Sequence, residues 1–228
     1  MHKIFDVLRY PLNGKIPTLR FLLGCAINCV PFFGNAVTTG YAIKGMREVM
    51  IGKEGMPQWT DFMGLFLSGI RFFAASFIFS LVFLIPFSIG LFLFVIVKSA
   101  WAVILGFFVV MIGGILALSS SFIFPMATIY MLKCDEKIKA IFSFSEIMLN
   151  IKKAAIPYTL NVLIVWFAAL LFLYFSFSLM SLKVGFLLVI ILLYYFVLIV
   201  TYVFGKLGES LGDIVIDRIN LVEEDLNK

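Results

Sequence analysis

Few side chains in this sequence have the types and spacing that chemistry needs. The one histidine, His2, stands at the very start of the chain. A histidine-based metal site, a Ser–His–Asp triad or a Cys–His dyad needs an imidazole inside the fold. Cys25 and Cys29 are four apart, so a helix would place both thiols on one face, with Cys134 as the only further thiol. They suit small, slightly polar packing positions better than a soft-metal site. Three cysteines without paired spacing also argue against a disulfide framework. No phosphate loop, dinucleotide fingerprint or carboxylate pair is present. The expectation is no catalytic constellation, no metal, no cofactor and no enzyme.

The remaining candidates are polar residues beside apolar runs. Asn28 and Asn35 are seven apart, which puts them on one helical face, with Thr38 and Thr39 close by. That face reads either as a polar path for solute or water, or as interhelical hydrogen bonding worth about 0.6–2 kcal/mol per contact. Ser119 to Ser121 precede Pro125, where hydroxyls can satisfy carbonyls that a proline frees. In MPQWTD, Trp59 suits an interfacial anchor, Thr60 an N-cap and Asp61 the first turn of the next helix. Arg47 and Lys44 precede Gly52 as a helix C-terminus would. Arg71 opens a long apolar run and can snorkel, hold an anionic headgroup, or pair with Asp61 or Glu146.

The elements that must position these residues follow from composition. Of 228 residues, 63% are hydrophobic and 14% charged. Soluble domains average about 45–50% apolar and about 25% charged, so lipid is the expected solvent. The stretches 73–97, 99–132, 154–182 and 184–204 contain no charged residue and are long enough to cross a bilayer as helices. A fifth stretch, 21–43, is uncharged but more polar. The fold class expected is all-α: a polytopic transmembrane bundle of about five spans, the first kinked or re-entrant. MHKIFDVLRYPL lacks the core and cleavage site of a signal peptide, so no removal is expected.

Charge sets the orientation. Segments 44–72, 133–153 and 206–228 hold twelve basic residues, while the short connections opposite hold Lys98 and Lys183. The positive-inside bias places the three long segments and the C-terminus in the cytoplasm. A single crossing by 21–43 would leave Lys3, Arg9, Lys15 and Arg20 outside. A re-entrant hairpin turning at VPFFGN would keep them inside.

An internal repeat argues for the crossing instead. TGYAIK at 39–44 returns as TIYMLK at 128–133, and WTDF at 59–62 returns as FSEI at 144–147. Polar stripes follow at Asp61, Gly64, Ser68 and Arg71, and at Lys139, Ser143, Glu146, Asn150 and Lys153. A looser tail stripe joins Lys206, Glu209, Asp213, Asp217 and Asn220. These predict two to three cytoplasmic amphipathic helices in the interface. Two parallel repeats, about 18–97 and 101–182, would be followed by an extra span and tail over 184–228. The pairs Gly113–Gly114, Gly40–Gly45 and Gly64–Gly69 lack strict GxxxG spacing, so close helix contact is only weakly signalled there.

The residues Tyr10, Pro11, Pro31, Gly40, Tyr41, Arg47, Gly52, Pro57 and Trp59, together with AIFSFSEIMLNIKKAAIPY, carry a resemblance. The chain resembles an uncharacterised family of prokaryotic multi-pass membrane proteins, marked by Gly-Tyr and Pro-x-Trp motifs. More loosely it is similar to the membrane region of some glycerophosphodiester phosphodiesterases, without their catalytic domain. The resemblance implies the cell membrane of a bacterium or archaeon and no defined activity.

Three functions compete. The favoured one is a non-enzymatic protein acting through membrane lipids, an unidentified membrane-protein partner or self-association, with no role for nucleic acid. The second is a channel or transporter for a neutral or apolar solute, lined by Asn28, Asn35 and Thr38. The third is a lipid-modifying enzyme using Asp61 or Glu146. No acid or base lies inside the long apolar spans, which weighs against ion-coupled pumping.

Overall fold

The computed structural model describes residues 4–12, 17–53, 55–97, 99–182 and 184–226, of which 4–6 and 213–226 are described as backbone. Every described element is helical. In order they are α1 (Ile4–Arg9), a 3-10 turn (Tyr10–Leu12), α2 (Pro17–Asn28), α3 (Phe33–Met50), α4 (Phe62–Val95) and α5 (Ala100–Lys133). A second 3-10 turn (Ile138–Phe142) precedes α6 (Phe144–Lys153), α7 (Ala155–Met180) and α8 (Gly185–Leu226). Two compact units result: Met1–Ile70 with Met148–Lys228, and Arg71–Ile147. Lys3, Lys15, Lys98 and Lys183 lie outside the described residues, as do the side chains of Asp213, Asp217 and Asn220.

Among the described residues, four helices are long and apolar enough to cross a membrane: Phe62–Val95, Ala100–Lys133, Ala155–Met180 and Gly185–Gly212. Their surfaces carry exposed Phe, Leu and Ile throughout, which suits contact with lipid tails. The 34 residues of α4 and of α5 extend about 51 Å at 1.5 Å per residue, well beyond a hydrocarbon core of about 30 Å.

The fifth stretch is broken. α2 starts on Pro17, whose missing N–H costs nothing at a helix start, and it stops at Asn28. Pro31 disfavours helix at the residue before it, and Phe32 turns with φ 60°. A Cβ on Gly34 would overlap the Ile27 carbonyl, so this position must be glycine for the chain to fold back. The Trp59 indole N–H donates to the Arg20 carbonyl at 3.0 Å, tying the start of α2 to the loop after α3. Residues 21–43 therefore form a helical hairpin, not one continuous helix. Consequently Asn28 and Asn35 do not share a helical face, as their spacing had suggested.

The hairpin packs on α8 within the first unit. α3 and α8 run in the same direction: Gly45 faces Thr201, Val49 faces Gly205 and Met50 faces Gly208. Tyr10 stacks on Tyr202 with ring centres 4.8 Å apart, and Phe21 packs against Tyr194. Gly40 and Gly69 bring α3 and the start of α4 into backbone contact. A methyl group on Gly40 would overlap the Leu65 carbonyl, and one on Gly69 the Ala36 carbonyl. Small residues at such a crossing exchange side chain for close van der Waals packing.

In the second unit α4 and α5 are antiparallel. Gly90 meets Gly106 and Val110, Gly106 meets Phe94, and Gly113 meets Phe87. Phe124 packs against Phe72 and Phe79. Ser119 and Ser121 bond the carbonyls of Ile115 and Leu118. Neither of these is the Ser121 carbonyl that Pro125 frees.

The amphipathic segments differ from the repeat. α6 is a separate helix, set off from α7 at Ala154. Its buried side is Ile147, Asn150 and Ile151, so Asn150 leaves the polar stripe predicted for it. Lys139 sits in the 3-10 turn before α6. The counterpart around Asp61 to Arg71 is no separate helix, because α4 runs unbroken from Phe62. The tail likewise continues α8. TGYAIK lies in the returning arm of a hairpin, whereas TIYMLK ends a 34-residue helix. The local motif recurs without a common topology around it.

Candidate functional site

The described residues bring several polar groups together where the hairpin ends. α3 finishes in a Schellman turn: the Lys53 N–H donates to the Glu48 carbonyl and the Gly52 N–H to the Val49 carbonyl, both at 3.0 Å. Gly52 takes φ 78° there, which a side chain would resist. α4 begins at Asp61, whose carboxylate accepts from the Gly64 N–H at 3.0 Å. Asp61 is thus the N-cap, a role expected of Thr60.

Between these helix ends, residues 56–60 are held by three side chains. The Arg20 guanidinium donates to the Met56 carbonyl at 2.6 Å. The Tyr41 hydroxyl donates to the Pro57 carbonyl at 2.7 Å. The Lys44 ammonium donates to the Gln58 carbonyl at 3.2 Å and the Thr60 hydroxyl at 3.1 Å. Trp59 lies flat on Tyr41, with ring centres 3.8 Å apart and planes 8° apart. Such a pair adds about 0.5–1.5 kcal/mol beyond its buried area. Tyr10 is buried close by, and burial, with Glu48 second, pushes its phenol well above the ordinary range.

A polar cleft of about 360 Å³ opens beside this clamp, lined by Arg20, Lys44, Glu48, Lys53 and the 56–60 loop. Among the described lining residues, three cationic side chains face one carboxylate. The volume falls at the small end of the range for ligand sites, about 300–1,000 Å³.

The residues singled out from sequence fall in both units and take different roles. Trp59 is part of the clamp instead of a free interfacial anchor. Arg47 is exposed on the last turn of α3, outside the cleft lining. Within its own unit Arg71 pairs with Glu136 at 3.7 Å and not with Glu146. Glu146 is exposed in the first turn of α6. The Thr38 hydroxyl donates to the Gly34 carbonyl at 2.9 Å and lies 3.1 Å from the Asn28 side-chain oxygen, across the turn. Asn35 is exposed and Thr39 half-buried. Among the described residues, no cluster of His, Cys, Asp or Glu is placed to hold a metal ion.

Sequence reasoning missed Arg20, Glu48 and Lys53 as a set, because Arg20 and Lys53 served only as markers of membrane side and Glu48 was not singled out. Lys44 and Glu48 at four-residue spacing, just before Gly52, were the available signal. Arg20 could be added only by knowing that the chain folds back.

No curated protein and no solved structure matches the chain. A model of the family described as proteins of unknown function, DUF4013, matches residues 23–182. With four helices suited to crossing a membrane and that match over most of its length, the chain belongs to the DUF4013 family of proteins of unknown function.

Proposed function

We propose that this is a non-enzymatic multi-pass membrane protein that works by binding lipid or a protein partner. The observation that carries the reading is the cleft at the hairpin ends. Arg20 and Lys44 each hold a carbonyl of the 56–60 loop, which supports a binding role for these groups. The positive-inside bias would set this end in the cytoplasm, at headgroup level, in a bacterial or archaeal cell membrane.

The channel reading depended on Asn28, Asn35 and Thr38 lining a path. The Thr38 hydroxyl is instead within bonding distance of Asn28, Gly34 and the Asn35 carbonyl. That arrangement supports their role as contacts that close the hairpin. Reconstitution into proteoliposomes tests the proposal. The expected result is selective retention of particular lipids through purification, without solute flux and without lipid turnover. Flux of a neutral solute, or chemical conversion of the lipid, would replace this reading with the corresponding alternative.

A further inference from the structure

We infer that the cleft lined by Arg20, Lys44, Glu48 and Lys53 binds a phosphate group, carried by an anionic lipid headgroup or by a soluble phosphate compound. The inference rests on the binding reading above and names the chemistry that the site would take.

Geometry favours a phosphate. Arg20 and Lys44 lie on opposite arms of the hairpin, and each is fixed by a bond to the same loop. The guanidinium has five N–H donors and the ammonium three, so these bonds leave donors for a ligand. Arg20 offers a planar fork suited to phosphate oxygens, and Lys44 and Lys53 supply point charges. The C-terminal end of α3 would by itself repel an anion. Here the Schellman turn satisfies the Glu48 and Val49 carbonyls, and the three cations outweigh what remains. The stacked Tyr41 and Trp59, with Pro57, give the loop a stiff backing, so little ordering is left to be done on binding.

Glu48 makes the inference sharper. Among the described residues of the cleft lining Glu48 is the one carboxylate, and it opposes a bound anion, so neutralising it should tighten binding while neutralising a lysine weakens it. A residue with only a structural role would not give these opposite signs.

The test uses the full chain in neutral detergent, with Trp fluorescence and thermal shift as readouts. The probes are dihexanoyl phosphatidylglycerol, inorganic phosphate and dihexanoyl phosphatidylcholine. Saturable binding of phosphatidylglycerol or of phosphate is expected, weakened about tenfold by Lys53→Gln and strengthened by Glu48→Gln. Lys53 is exposed and its side chain does not hold the loop, so its variant should fold; Lys152→Gln on α6 is the control and should change nothing. Binding confined to phosphatidylglycerol assigns the site to a lipid headgroup, and binding of inorganic phosphate alone assigns it to a soluble compound. Either anion binding unchanged by both Lys53→Gln and Glu48→Gln, or phosphatidylcholine binding as tightly with the same indifference, overturns the inference. So does the absence of any saturable binding. Such failure leaves the binding-protein reading standing, because flux and turnover decide that separately.

Discussion

At the scale of single residues, the loop between α3 and α4 is specified by side chains whose sequence signals were partly readable. Gly52 after a basic helix end pointed to a C-cap, and the turn there is the one that signal implies. The assignment of Thr60 and Asp61 slipped by one position, because an isolated sequence does not show which of two adjacent capping residues takes the turn. Asp61 does so with φ 56°, a conformation that a short polar side chain tolerates. Asp61→Ala should cost about 1 kcal/mol, read as a lowered midpoint in thermal unfolding of the detergent-solubilised protein. An unchanged midpoint would mean that the cap contributes nothing. Glycines separate in the same way. Gly40→Ala drives a methyl group into the Leu65 carbonyl and should lower the midpoint strongly, whereas Gly114→Ala meets no atom within 4 Å and should be neutral or slightly stabilising. Equal effects from the two substitutions would contradict the α3–α4 backbone contact.

At the scale of elements, the four long helices were legible because twenty or more uncharged apolar residues have few alternatives in lipid. The helix pairings were not legible. Gly90 and Gly106 are sixteen positions apart and meet only because α4 and α5 are antiparallel, which no spacing rule within one helix reveals. The repeat misled for a related reason. A similar six-residue motif fixes local chemistry, but Pro31 and Gly34 turn the first copy back, while the 34 residues of α5 carry the second straight on. Arg71 shows the limit of charge matching by eye: its partner Glu136 sits in a turn where Asp135 and Glu136 both take positive φ. Arg71 is half-exposed, so this pair should be weak. A double-mutant cycle of Arg71→Ala and Glu136→Ala should give a coupling of about 1 kcal/mol or less. A larger value would make the pair a structural anchor.

At the scale of the whole molecule, four spans and one hairpin reconcile the charge pattern with the polar first segment. Twelve basic residues in the long connections and the basic N-terminal stretch can all share one side only if residues 21–43 enter and leave on that side. The cleft depends on the same fold, since Arg20 and Lys53 meet around it only when the first apolar segment doubles back. Cysteine labelling reads this directly. In a chain with Cys25, Cys29 and Cys134 replaced by serine, Thr18→Cys and Lys53→Cys would each be exposed to a membrane-impermeant maleimide in right-side-out and in inverted vesicles. Both should react in the inverted vesicles and be protected in the right-side-out ones. Reaction of the two positions from opposite sides would mean that the first segment crosses once, and would remove the hairpin and the cleft together.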